Sequence, residues 1–150
     1  MASDLKNFGK EHPKVAVRQS NLATVYQSLG HYDRAAALLE TSLSNDLKNL
    51  GELHPTIATR QNNLATAYHN LGNYERAAIL LETALANDIK NFGLDNPIVA
   101  TRQNNLALVY KITGRDVEAK ILWKAVYEND VKNLGKDHPY TIISKQRTEM

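Results

Sequence analysis

Apolar and small residues recur at helical spacing along the chain, and the whole pattern repeats every 42 residues. Within one period there are two stripes whose members lie three or four residues apart, and this spacing predicts two amphipathic helices. In the best example the first helix runs from about Thr56 to about Leu71 and the second from about Tyr74 to about Asn91. The period is marked most clearly by four prolines: Pro13, Pro55, Pro97 and Pro139.

Residues that start and stop helices stand at the ends of these stripes. Gly72-Asn73 tolerates positive φ and is expected to end the first helix, and Gly93 is expected to end the second. Asn96 before Pro97 is a typical N-cap followed by proline at the first helical position. His54 occupies the same place in its repeat as a weaker cap.

A period between 20 and 50 residues predicts a stacked array of helical hairpins, in which each hairpin packs against its neighbours. The expected organisation is one array over residues 1–150: a stub at 3–11, repeats at 12–53, 54–95 and 96–137, and a partial or capping helix at 138–150. The stub Ser3–Gly9 matches Asn45–Gly51, so the chain is expected to begin in mid-repeat, as a fragment of a longer array does.

The composition adds mainly exclusions. Net charge is +2, which does not favour nucleic acid or an anionic membrane as a partner, and cysteine is absent, which excludes thiolate metal sites. No catalytic motif is present, carboxylates do not pair on one face, and the regular recurrence of His12, His54 and His138 identifies them as turn residues. The chain is therefore expected to be non-enzymatic, without a cofactor, and cytoplasmic.

Two repeats carry the same motif, Asn-Leu-Ala-x-x-Tyr-x-x-x-Gly-x-Tyr-x-x-Ala, followed by two spaced leucines. With its 42-residue period it resembles the tetratricopeptide repeat (TPR) family, in the variety found in kinesin light chains and in many bacterial proteins. The sequence departs from the family pattern in two places. Position 116 is aspartate where the family has an aromatic residue, and the second helix ends in Asn-Asp-x-Lys-Asn. The motif residues of the second repeat are Asn63, Leu64, Ala65, Tyr68, Gly72, Tyr74, Ala77, Leu81 and Leu85.

The resemblance implies an all-α right-handed α-α superhelix, in which the first helix of each hairpin lines a concave groove that binds a peptide or protein segment. Helical geometry places a set of mostly polar residues opposite the apolar stripe, on that groove. Asparagines in the set can bond an extended peptide backbone; equally, they can bond neighbouring helices or face water. The predicted groove residues are Asn21, Asn62, Asn63, Thr66, His69, Asn104, Asn105, Leu108, Lys111, Ile112 and Arg147.

The predicted groove changes character towards the C-terminus. Leu108 and Ile112, with Lys111 and Arg147, form an apolar and cationic stretch, which suits a peptide with a hydrophobic anchor and acidic neighbours. The alternative is that Leu108 and Ile112 cover a helix of the missing part of the array. Trp123, in place of a leucine, is expected to be core.

Charged residues also follow the period. Asp4, Asp46 and Asp88 are expected to pair with Arg18, Arg60 and Arg102 and so to set the angle between repeats; position 144 is serine instead.

Two functions remain open: a non-enzymatic module that binds protein in its groove, and a self-assembly or spacer element that forms homo-oligomers through the array ends. An RNA-binding repeat would require a more basic groove.

Overall fold

A computed structural model describes residues 13–150, and this part of the chain consists of seven α-helices joined by short turns. The prediction of an all-α fold with two helices per repeat is confirmed, and Ser3–Gly9, Asp4 and His12 lie outside the described residues. The helices are α1 (Pro13–Ser28), α2 (Tyr32–Leu50), α3 (Pro55–Asn70), α4 (Tyr74–Phe92), α5 (Pro97–Ile112), α6 (Asp116–Leu134) and α7 (Pro139–Thr148).

Two compact units divide the chain, with the boundary between Leu80 and Leu81 inside α4. In the first unit α2 packs against both α1 and α3, and in the second α6 packs against both α5 and α7. The units therefore share one plan, in which a second helix lies against the first helix of its own repeat and against that of the next.

The helix ends follow the sequence signals closely. Gly72 and Gly93 have φ of +81° and +83°, conformations in which a Cβ is strained. Asn96 accepts a hydrogen bond on Oδ1 from the Ile98 N–H, as an N-cap does. His54 is a better cap than expected, because its Nδ1 accepts from the Thr56 N–H at 3.1 Å. Asp116 begins a helix as long as the other second helices, so the third repeat stays regular.

The core of each unit is built from the predicted stripes, in which alanines are among the most completely buried residues. Ala65 and Ala77 are fully or almost fully buried, and small residues there allow two helices to pack closely. Trp123 is 2% exposed, so its prediction as core is confirmed. Leu71, predicted in the first-helix stripe, is 47% exposed because the helix has ended at Asn70 and the chain turns there.

The predicted ion pairs between consecutive repeats are present in both units. Arg60 Nε lies 2.7 Å from Asp46 Oδ2, and Arg102 Nε lies 2.7 Å from Asp88 Oδ2. The Asp46 and Asp88 side chains are only 3% and 1% exposed, so the carboxylates of these pairs are deeply buried. Their role in setting the angle between repeats remains a prediction.

The corresponding contact in the middle of α7 is made without an arginine. Ser144 donates a hydrogen bond to Asp130, so a short hydroxyl replaces the guanidinium. Beyond it, α7 presents Lys145, Thr148 and Glu149 at the positions where α5 has the inward-facing Gln103, Leu106 and Ala107. These three residues line an open cavity of about 750 Å³ on α6 and α7. Lys145 and Glu149 thus bring charge to this side of α7, while Ile142 and Ile143 of the same helix are exposed apolar residues.

The motif Asn-Asp-x-Lys-Asn has a structural task that sequence reasoning did not find. Asn129 Nδ2 donates to the carbonyls of Leu94 and Asn96 at 3.0 Å each, and Asn133 Nδ2 donates to the carbonyl of Asp95 at 2.7 Å. These bonds hold the connector that precedes α5 against the end of α6. The asparagines that depart from the family pattern therefore satisfy backbone groups of a loop.

Candidate functional site

The first helices of the first unit, α1 and α3, present polar side chains on the side opposite the buried stripe. Asn21 and Thr66 are exposed, whereas Asn62, Asn63 and His69 are half-buried. Thr66 Oγ1 donates to the carbonyl of Asn62 at 3.1 Å, an ordinary bond within a helix. The predicted residues of α3 thus share one face of the helix.

His69 is partly covered by an aromatic neighbour. Its ring meets the ring of Tyr74 edge-on, with the centroids 5.3 Å apart. Asn62 is also engaged in an interaction with another residue. The face of the first unit therefore offers hydroxyl and amide groups, some of which are already held by the protein.

In the second unit the corresponding face, on α5 and α7, is more apolar and carries cations. Leu108 and Ile112 are 40% and 51% exposed, although both are large apolar side chains. Lys111 is exposed between them and lies 3.5 Å from Asp116, a weak surface pair. Asn105 is half-buried and engaged in an interaction with another residue. The change in character that the sequence predicts is therefore present within this unit.

Asn104 and Arg147 are brought together in the second unit. Arg147 Nη1 on α7 donates to Asn104 Oδ1 on α5 at 2.5 Å, and Trp123 Nε1 on α6 donates to the same oxygen at 3.2 Å. The alternative that asparagines of this face bond neighbouring helices thus holds for the Asn104 oxygen. Sequence reasoning placed Asn104 and Arg147 on the face but did not anticipate the indole N–H, because leucine fills that position in the other repeats.

In α3 and in α5 a tyrosine bonds a glutamate of the preceding repeat. In the first unit Tyr68 donates to Glu40, and Arg76 Nη1 approaches the same hydroxyl at 3.1 Å. Glu40, Tyr68 and Arg76 also line an open cavity of about 390 Å³. The sequence identifies this tyrosine as a packing residue and gives no sign of its polar partner, which lies 28 residues away.

In the second unit the corresponding tyrosine and glutamate are accompanied by an arginine from another position of the repeat. Tyr110 donates to Glu82 at 2.5 Å, and the Arg115 guanidinium lies over the Tyr110 ring, 4.0 Å from its centroid. Burial first, and then the bond to Glu82, raise the pKa of Tyr110 to about 12. Arg115 also donates to both Glu118 oxygens, and this hydrogen bond lowers the pKa of Glu118 and raises that of Arg115.

Among residues 13–150 no group of three or more His, Asp or Glu side chains is arranged to hold a metal ion. Over the same range, none of the helices combines the length and the hydrophobicity that crossing a membrane requires.

The family model described as tetratricopeptide repeat matches the chain over residues 20–90 and 56–128. The two matched ranges overlap and together extend over residues 20–128, which include most of each unit. A comparison with curated proteins finds no match.

Several solved structures are similar to the chain. A putative kinesin light chain from Podosopora anserina with nearly identical TPR-like repeats has 31% sequence identity and a TM-score of 0.87, and the match covers 98% of this chain and 70% of that one. BtubC (BKLC) from P. vanneervenii has 25% identity and a TM-score of 0.84, over 95% and 57% of the two chains. The Sgt2 TPR domain from Aspergillus fumigatus, at 19% identity and a TM-score of 0.62 over 89% and 74%, shares the fold.

Proposed function

Because the chain belongs to the tetratricopeptide repeat family, in its kinesin light chain-like form, we propose that it is a non-enzymatic module that binds a protein or peptide. TPR domains are typically protein–protein interaction modules, and the coarse function follows from the family. The finer proposal is that the ligand lies on the exposed face of the first helices. Each unit has its own such face, formed by α1 and α3 in the first unit and by α5 and α7 in the second.

The observation that carries this proposal is the exposure of Leu108 and Ile112 beside cationic side chains. Two large apolar residues one turn apart on α5 remain about half accessible, although alanine and valine on the other side of the same helix are fully or almost fully buried. Exposed apolar area beside cations suits a ligand with a hydrophobic anchor and acidic neighbours. In the first unit, hydroxyls and amides at Thr66 and Asn63 suit an extended peptide backbone.

Self-assembly through the array ends is less well supported by the second unit. The outer side of α7 carries Lys145, Thr148 and Glu149, and a helix packed there would bury two charged side chains. The exposed apolar residues of α5, Leu108 and Ile112, lie instead on the proposed ligand face. These observations favour ligand binding on the face over stacking at this end.

The test uses two double variants with matched chemistry and spacing. Leu108→Ser with Lys111→Glu alters the proposed face, and Ile121→Ser with Lys124→Glu makes the same change on α6, where Ile121 is 64% exposed. The probe is a fluorescein-labelled 12-residue peptide, selected for binding to the wild-type chain from a random-sequence display library. We expect affinity to fall at least about tenfold in the first variant and to stay within about twofold in the second.

The reverse result, or an equal loss in both variants, would place the ligand elsewhere. Circular dichroism of both variants establishes that they are folded, which is expected because all four positions are exposed. Light scattering over a concentration series tests the alternative: mass that rises with concentration supports self-assembly, and a constant monomer mass counts against it.

A further inference from the structure

The side-chain oxygen of Asn104 is held by donors from two other helices of the second unit. The Trp123 indole approaches it at 3.2 Å from α6, and the Arg147 guanidinium approaches it at 2.5 Å from α7. An indole N–H and a guanidinium can only donate hydrogen bonds. The atom between them must therefore be the amide oxygen of Asn104, and the orientation of the amide is determined by chemistry.

The other end of the amide, Nδ2, then points away from both donors. Within residues 13–150 it has no hydrogen-bond partner, and Asn104 is half-buried. Nδ2 does not belong to the fully buried side-chain atoms that lack a partner in this part of the chain, which are oxygens of three glutamines. Nδ2 of Asn104 is therefore not fully buried, and Asn104 lies one turn before Leu108 on the same side of α5.

Trp123 carries an indole N–H donor, which the leucines at the matching positions of the other repeats lack. Positions 39 and 81 are leucines, exposed by 1% and 3%, and Trp123 is exposed by 2%. Leucine is thus sufficient to fill this place in the core. The indole differs in having an N–H, and that N–H is directed at Asn104.

We propose that Trp123 and Arg147 are positioning residues that fix the Asn104 amide with its donors outward, so that Asn104 selects a hydrogen-bond acceptor on the ligand. A free asparagine can rotate its amide and present either oxygen or N–H₂; one whose oxygen is already bonded presents donors only. The acceptor is a carbonyl or carboxylate oxygen, from the peptide backbone or from an acidic side chain. This inference rests on the proposed function.

The fixed amide can be tested without any ligand. Trp123 is the only tryptophan of the chain, so its indole N–H gives a single signal in a ¹⁵N-correlated NMR spectrum. We expect exchange of this proton with solvent to be roughly tenfold faster in Asn104→Ala, which removes the acceptor, and little changed in Asn104→Asp, which keeps one. An indole proton that exchanges equally fast in wild type and Asn104→Ala would overturn the proposal.

Selection of an acceptor is tested with the library-derived peptide described above. Asn104→Asp retains an oxygen for Trp123 and Arg147, replaces the outward N–H₂ by a second oxygen and adds one negative charge, which the control Asn73→Asp also adds. We expect affinity to fall about tenfold or more, because two oxygens then face each other. Asn73→Asp is the matched control: Asn73 caps α4 by accepting from the Arg76 N–H, which aspartate does equally well, and we expect unchanged affinity.

The positioning role is tested by a double-mutant cycle. Trp123→Phe keeps an aromatic side chain and removes the indole N–H; alone it is expected to weaken peptide binding about threefold to fivefold. In the Asn104→Asp background it is expected to have no further effect on affinity, since the outward donor is already gone. Equal losses in both backgrounds would indicate that Trp123 acts only through the core and would overturn its positioning role.

The source of the acceptor is resolved by the peptide itself. If it is an acidic side chain, replacing that residue of the peptide by glutamine or alanine removes the difference between wild type and Asn104→Asp; if it is a backbone carbonyl, the difference persists. Loss of binding in the Leu108 and Lys111 variant without loss in Asn104→Asp refutes only this inference. Binding retained in both, or a library without any binder, refutes the proposed function, and the indole exchange still decides the orientation of Asn104.

Discussion

The two units form the same tyrosine–glutamate contact with arginines from different positions. Arg76, on α4, reaches the Tyr68 hydroxyl in the first unit, whereas Arg115, in the turn before α6, covers the Tyr110 ring in the second. The position of Arg76 is occupied in the next repeat by Glu118, which bonds Arg115. Both repeats therefore keep the buried tyrosine and its glutamate acceptor, whereas the exposed arginine occupies different sequence positions, each close enough to contact the tyrosine.

The buried ion pairs should give the largest effects, because an aspartate that loses its arginine stays buried without a partner. Arg60→Met leaves Asp46, 3% exposed, without its partner, and we expect it to lower the free energy of unfolding by about 3–5 kcal/mol. Arg102→Met should cost the second unit a similar amount. Chemical denaturation measures both.

The double variant Arg60→Met with Asp46→Asn is the control, since it removes both charges and should recover most of the loss. A change no larger than that of a surface pair, about 0–1 kcal/mol, would show that Asp46 is solvated in solution.

The asparagines that hold the connectors should give the next largest effect. Asn129→Ala removes two hydrogen bonds to the carbonyls of Leu94 and Asn96, and we expect a loss of about 1–3 kcal/mol in the free energy of unfolding. The exposed Asn70→Ala is the control, and equal stabilities of Asn129→Ala and Asn70→Ala would contradict the role of the motif.

The tyrosine of the second unit should make stability depend on alkaline pH. Its pKa is about 12 in the folded chain, above the usual value of 10, so the folded state holds this proton more tightly than the unfolded state. This contribution is complete below pH 10 and is lost as pH rises to about 12. Denaturation midpoints should fall less steeply over that window in Tyr110→Phe than in wild type, whereas Tyr140→Phe, which removes an exposed tyrosine, should retain the wild-type slope.

The smallest effect should come from exchanging the exposed charges, which makes the second unit resemble the first. Arg115→Asn with Glu118→Arg places the arginine where the first unit has Arg76. We expect each single variant to lower the melting temperature slightly and the double variant to return it to within about a degree of wild type. A double variant that melts at the sum of the two single losses would mean that the cation cannot change position.

Much of the fold follows from local signals. The turns at Gly72 and Gly93, the cap at Asn96 and the stripes of alanine and leucine each depend on residues within one or two helical turns, and all were predictable. The pairing of Asp46 with Arg60 was predictable too, because the same two residue types recur together in successive repeats.

The candidate site was only partly predictable. The sequence placed Asn104, Leu108 and Arg147 on one face, and the face of the second unit does expose Leu108. It did not indicate that Asn104 has its oxygen engaged, because that bond joins side chains on three different helices. Likewise, Tyr68 was recognised for its size, whereas its bond to Glu40 was not.

By itself the sequence determined the period, the helices, their ends and the family. Helical spacing and turn chemistry act between neighbours along the chain, and their repetition every 42 residues makes these signals easy to recognise. Only the tertiary structure decided which polar side-chain atoms are hydrogen-bonded within the protein and which remain without such a bond. The direction of an amide such as that of Asn104 depends on donors contributed by Trp123 and Arg147, and the rotation of each helix against the next brings those donors within bonding distance.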